Sequence, residues 1–150
     1  MAGKGQQAGV AIDDVEAKET WERLQRDPGS VLIDVRTQAE WAFVGVPDLS
    51  SLGKKLVCVE WQHFPGGQVN PSFASQLQSE LAVETAGKDA ELFFICRSGH
   101  RSLHSAEAMA AVGYRACHNV AGGFEGPLDS AAHRGLVAGW KAAGLPWVQH

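Results

Sequence analysis

Residues 92–113 read LFFICRSGHRSLHSAEAMAAVG. The apolar run Leu92 to Ile95 is too short for a helix and suits a buried strand. Ser102 to Val112 follows with helical spacing, and Gly113 supplies a stop. Between strand and helix lie Cys96, Arg97, Ser98, Gly99, His100 and Arg101. A buried strand that turns straight into a helix is one half of a strand–helix–strand crossover, the unit of α/β folds.

The same alternation extends in both directions. Upstream, Val31-Leu32-Ile33-Asp34-Val35 and Leu56-Val57-Cys58-Val59 are short, β-branched and apolar, and predict strands. Downstream, Tyr114 to Val120 predicts a fourth strand, ending at Gly122-Gly123. Helices are expected through Ala17, Trp21 and Leu24, capped by Asp13 or Asp14 and closing near Asp27-Pro28-Gly29. A short one is expected from Thr37, as cap, to Phe43. Another follows Asn70 as cap with Pro71 in the first helical position, running through Phe73, Leu77 and Leu81. A last helix is expected over 130–143, stopped by Gly144 and Pro146. Residues 62–69, QHFPGGQV, form a loop by their Pro-Gly-Gly. The pattern predicts an α/β fold: a mainly parallel β-sheet flanked by helices on both faces. Residues 1–9 are expected to be a loose, flexible N-terminus and 10–150 a single domain.

Composition narrows the function classes. A net charge of −4 over 150 residues gives no electrostatic case for nucleic acid or a membrane surface. No apolar run approaches the ~20 residues a bilayer span needs. The opening MAGKGQQAGVAIDD lacks an apolar h-region, so no secretory leader is expected. Three widely spaced cysteines, Cys58, Cys96 and Cys117, suit neither a disulfide framework nor a paired-cysteine zinc site. A reducing cytoplasm is the expected location, and it keeps a reactive thiol available.

In parallel sheets, sites lie at the carboxyl ends of the strands, where Cys96 stands. The thiolate is the nucleophilic form of cysteine. Three features favour it here: the start of a helix with its unpaired N–H groups, the fixed charges of Arg97 and Arg101, and Gly99, which lets backbone amides fold inward. The loop from Arg97 to Ser102 is thus expected to cradle an anion, with Ser98 and Ser102 as hydroxyl donors and His100 assisting the arginines. Cys58 and Cys117 lack such neighbours and read as inert small hydrophobes. A metal site of Cys96, His100 and His104 is the sharper rival. It is disfavoured because Cys96 precedes the helix, the arginines repel a cation and no fourth ligand is evident. His63, His118, His133 and His150 read as ordinary surface or loop histidines. Arg36 and Glu40 are expected to pair across a helical turn, with Arg36 near the site rim. Trp61, Phe64 and Phe124 are candidates for a pocket wall or for the core.

Two stretches, VLIDVRTQAEW at 31–41 and FFICRSGHRSLHSAEAMAAVGY at 93–114, resemble the rhodanese family, and VAGGFEG at 120–126 and HRGLVAGWKAAGLPW at 133–147 add to the likeness. The resemblance implies a sulfurtransferase. Cys96 would be the catalytic nucleophile and become a persulfide, and Arg97, Ser98, Gly99, His100, Arg101 and Ser102 would bind the substrate. The implied partners are a small anionic sulfur donor such as thiosulfate, a thiol or cyanide acceptor, and a protein acceptor; no metal or organic cofactor is implied. Four residues separate Cys96 from Arg101, whereas the related phosphatases and arsenate reductases have one more, which favours sulfur transfer. The alternative is a persulfide carrier or partner-binding module with little small-molecule turnover. Two departures bear on the pocket: Gly45-Val46-Pro47-Asp48 replaces the family's usual Gly-His-Ile-Pro, and the segment 60–71 is longer and more aromatic than usual.

Overall fold

In the computed structural model, which describes residues 11–149, the apolar runs become the middle of one parallel sheet. The expected loose segment 1–9 and His150 lie outside the described residues. The strands are β1 (Asp13–Val15), β2 (Val31–Asp34), β3 (Val46–Pro47), β4 (Val57–Cys58), β5 (Glu91–Ile95), β6 (Ala116–Val120) and β7 (Trp147–Val148). The helices are α1 (Ala17–Arg26), α2 (Gln38–Val44), α3 (Phe73–Val83) and α4 (His100–Ala111). The main sheet has five strands in the order β1-β6-β5-β2-β4, every pair parallel. β3 and β7 form a separate antiparallel pair.

β5 lies in the centre, and its pleat sorts its side chains. Leu92, Phe94 and Cys96 face one core with Ile33, Val57, Leu77, Leu81 and Met109, under α3 and α4. Phe93 and Ile95 face the other, with Leu24, Leu32, Val120, Phe124 and Trp140, under α1 and the chain's last segment. Burial on both faces explains why the strand reads as an unbroken apolar run instead of an alternating one. Because all five strands are parallel, their carboxyl ends share one edge. Cys96 stands there, beside Val35-Arg36 after β2 and Ala121-Gly122-Gly123 after β6.

Four local expectations are corrected. Asp13 and Asp14 do not cap α1; they lie in β1, paired with His118 and Asn119 of β6. Glu16 precedes α1 and makes no side-chain cap. The two aspartates bond instead to partners far along the chain: Asp13 Oδ1 lies 2.6 Å from His118 Nδ1, and Asn119 Nδ2 donates to Asp14 Oδ1 at 2.9 Å. For the same reason His118 is no loop histidine: it sits in β6 with its side chain 13% exposed, stacked on Phe93. α3 starts at Phe73, after Ser72. Asn70 builds the turn before it, accepting from Ser72 N and donating to Glu60 O and Gln76 Oε1. α4 starts at His100, earlier than the Ser102 expected, behind Gly99 in a left-handed conformation.

The largest difference lies over 130–143, where the expected helix is a series of turns. Gly139 decides it. Its φ is +98°, outside helical space, and a Cβ there would come within 2.6 Å of Gly123 O. The segment gives up helical hydrogen bonds to lay its backbone on the loop after β6: Trp140 N donates to Gly123 O at 2.8 Å, and Trp140 itself is fully buried. Its indole Nε1 donates to Pro146 O at 2.7 Å.

Candidate active site

Cys96 leaves β5 with its side chain on the core face and 1% of the residue exposed. The chain then turns through Arg97, Ser98 and Gly99 into α4. Gly99 N–H donates to Cys96 Sγ at 3.1 Å. The first N–H groups of α4, from His100 on, have no carbonyl of their own helix to bond, as at any helix start. The turn is clamped from behind by the loop after β6. Phe124 N donates to Cys96 O at 2.8 Å, and Glu125 N and Gly126 N both donate to Arg97 O at 3.0 Å. That approach needs glycine at 123, where a Cβ would come within 2.6 Å of Cys96 O and Arg97 O.

Ser102 is fully buried, its Oγ 3.2 Å from Cys96 Sγ. Its hydroxyl donates to Asn119 Oδ1. The Asn119 amide cannot be turned round, because its Nδ2 donates to two acceptors, Asp14 Oδ1 at 2.9 Å and Gly99 O at 3.1 Å. With its one proton given to Asn119, Ser102 offers the sulfur lone pairs, so the thiol S–H is the donor of that contact. When the sulfur loses its proton, the Ser102 hydroxyl can turn to it only by leaving Asn119.

The arginines are not equivalent. Arg97 and Ser98 are exposed, as is His100, whose ring packs edge to face on His104 at 4.8 Å. Arg101 is held by Glu40 of α2 in a two-pronged ion pair, Nη1 to Oε1 at 2.7 Å and Nη2 to Oε2 at 2.9 Å. The hydrogen bond to Glu40 raises the guanidinium above its ordinary value against the opposing effect of burial, and the charges of Glu40, of an ionised Cys96 and of Asp34 add to it. Burial pushes the Glu40 carboxyl up, but Arg101, the Thr37 N–H and the Arg36 charge outweigh it and hold it below the usual carboxylate range. A capping box with Thr37 fixes Glu40 at the start of α2, which confirms Thr37 as the cap.

The expected Arg36–Glu40 pairing across a turn is therefore corrected. Arg36 points the other way, into the protein. Its Nε and Nη2 bond to Asp34 at 2.9 and 2.6 Å, and Nη2 also reaches Gly45 O at 2.8 Å. Both side chains are 0% exposed, so Arg36 is a buried strut and not a rim residue. Its guanidinium carbon lies 4.3 Å from the centre of the Phe124 ring, which places Phe124 in the core. Trp61 packs edge to face on Phe73.

Phe64 lies elsewhere. It is 69% exposed and lines a cavity of about 490 Å³ with Val44, Glu40, Glu125, Arg97 and Arg101. Arg97 and Arg101 thus bring the cysteine loop to the wall of this cavity. The other two thiols stand in β4 and β6, outside the cysteine loop. Burial, then the Asp34 charge, pushes the Cys58 thiol up to about 12, although the residue reaches the surface. Burial pushes Cys117 up to about 11. Among the described residues no group of three or more His, Cys, Asp or Glu is placed to hold a metal ion, and no helix is long and apolar enough to cross a membrane.

Cys96 and its loop were legible as a motif, and the structure brings Cys96, Gly99 and Ser102 into contact. Sequence reasoning missed Glu40, Asn119 and Asp14 as site residues. Asn119 had one signal, its place at the end of a parallel strand just before Gly122-Gly123; Asp14 had none.

Residues 12–150 match the family model described as the STR4 middle domain. A crystal structure of Rv0390 from M. tuberculosis is 43% identical, with a TM-score of 0.84, covering 94% of this chain and all of that one. An uncharacterized protein of Rickettsia prowazekii is 32% identical over 138 residues, covering 92% of this chain and 98% of its own. A protein of Allochromatium vinosum named sulfurtransferase is 23% identical over 137 residues, covering 91% of this chain and 95% of its own. The sheet order, the cysteine at the end of its central strand and these relatives lead to one assignment: the chain belongs to the STR4 middle-domain family, within the rhodanese-like proteins.

Proposed function

We propose that this protein is a sulfurtransferase that carries sulfane sulfur on Cys96. The Cys96 sulfur attacks the outer sulfur of a donor, thiosulfate or one like it; the donor's S–S bond breaks, and Cys96 becomes a persulfide. The persulfide then passes its outer sulfur to a thiophilic acceptor: cyanide in an assay, and a thiol or a protein in the cytoplasm. The observation that carries this reading is the Gly99 N–H aimed at Sγ from the mouth of α4. An outer sulfur added there meets the unpaired N–H groups of the first turn, which favour negative charge. The family assignment and the sulfurtransferase name of one relative support the same class. Phosphoester cleavage is the weaker reading, because the loop is one residue shorter than in the related phosphatases, and because sulfite leaves thiosulfate as a stable anion where a phosphate ester's alkoxide needs a proton.

The test is the intact mass of the protein after thiosulfate or a persulfide donor is added. Wild type gains the mass of one sulfur, which cyanide or a thiol removes; Cys96→Ser gains none. Turnover that survives Cys96→Ser overturns the covalent mechanism. Loading without turnover reassigns the protein as a persulfide carrier.

A further inference from the structure

The cavity beside the cysteine loop does not have the charge that a small dianion needs. Two arginines reach its wall, Arg97 and Arg101, but so do two carboxylates, Glu40 and Glu125. Arg101 spends both terminal nitrogens on Glu40, at 2.7 and 2.9 Å. A guanidinium held this way has little left to offer a second anion until Glu40 lets go. The volume, about 490 Å³, falls in the range that takes small organic molecules, far beyond what thiosulfate fills. Phe64, Pro65 and Val44 add an apolar wall. The site therefore offers balanced charge of both signs and a surface for carbon.

We infer that Glu40 determines donor class: it ties down Arg101 and so selects an organic persulfide bearing both an ammonium and a carboxylate, of the amino-acid type, over thiosulfate. This deepens the reading above and rests on a Cys96 persulfide. The ligand's carboxylate meets Arg97, its ammonium meets Glu125, and its persulfide points to the cysteine loop. The step balances without an added oxidant or reductant. The Cys96 sulfur bonds to the terminal sulfur of R–S–SH, and the R–S to SH bond breaks. The sulfur bound to R leaves with the electron pair and takes up the proton lost by Cys96. The products are the Cys96 persulfide and R–SH.

The experiment compares the persulfide of free cysteine with thiosulfate as donors, reading Cys96 loading by intact mass and kcat/KM by turnover, for wild type, Glu40→Gln and Cys96→Ser. Wild type is expected to favour the cysteine persulfide. Glu40→Gln is expected to shift the ratio toward thiosulfate by about tenfold or more, the scale of one charged hydrogen bond. A wild type that uses thiosulfate as well as the persulfide overturns the inference, as does an unchanged ratio in a natively folded Glu40→Gln. Should that variant not fold, salt decides on wild type alone. A cavity of balanced charge gives thiosulfate turnover that is flat with ionic strength, whereas a steep fall marks a positive site and overturns the inference. Failure of both donors to load Cys96 is a different result: it removes the sulfur-transfer reading itself, and this inference with it.

Discussion

Arg36 is a cation with no exposed surface, and it is tolerated because Asp34 faces it with two hydrogen bonds. Removing one member leaves the other as a lone buried charge, a situation that costs about 3–5 kcal/mol in comparable pairs. Asp34→Ala is therefore expected to lower unfolding free energy by about that amount in urea titrations. The double variant Asp34→Leu/Arg36→Met removes both charges and is expected to recover most of the loss, because desolvation offsets much of what the ion pair contributes. A double variant no more stable than the single one would show that the Gly45 O contact, not the charge pair, holds this corner. The pair also marks how far single residues could be read. The loop around Cys96 was legible as a candidate site because arginine, glycine and serine sit next to it in sequence. The destination of Arg36 was not, since Asp34 and Glu40 are both within its reach along the chain. Only the burial of the strand end, where Val35 and Asp34 turn inward, selects between them.

Between elements, the Glu40–Arg101 pair joins the start of α2 to the start of α4, and so couples the first motif to the cysteine loop. Its contribution depends on pH in a direction set by Glu40. The folded carboxyl titrates below its unfolded value, so at intermediate pH the unfolded chain binds more protons, and stability rises with pH. The full contribution is present above the ordinary carboxylate value of ~4.3, and it is lost as pH falls through the lowered folded value. The stability gap between wild type and Glu40→Gln is thus expected to be about 1 kcal/mol at neutral pH and to close in acid. Denaturant titrations over that span check it; a gap that stays constant with pH would mean that the glutamate acts through packing alone. Elements whose signals are local were legible: the Thr37 cap of α2, the apolar face of α3, and the strand–loop–helix around Cys96. Elements fixed by distant partners were not. β1 looked like a cap because aspartate before an apolar run is a helix signal, and the bonds of Asp13 and Asp14 to His118 and Asn119 became visible only once the sheet was assembled.

At the scale of the molecule, one face of the sheet is covered by helices and the other is finished by a segment with no helix of its own. Trp140 closes that face. It is completely buried among Leu24, Phe93, Val120 and Phe124, and packs edge to face on Trp21 of α1. Its neighbour Gly139 lies on the backbone of Gly122 and Gly123, which lead into Phe124, Glu125 and Gly126, the residues that clamp Cys96 and Arg97 from behind. A helix was expected over 130–143, stopped by Gly144 and Pro146, but those stop signals could not show that backbone contact with the cysteine loop would compete for the same residues. Core and site are therefore parts of one packed body, and damage to one should reach the other. Trp140→Ala leaves a void in the face that supports β5 and β6. It is expected to cost about 3–5 kcal/mol, a large share of the roughly 5–15 kcal/mol that holds a domain folded. Where enough native protein survives, sulfur loading of Cys96 is expected to slow as well, since the 120–126 loop loses the segment that holds it. Chemical denaturation gives the first quantity, and intact mass against time gives the second. A variant that loses stability but loads sulfur at the wild-type rate would show that the β6 loop keeps its grip on Arg97 O without support from the tail, and would uncouple the second core from the active site.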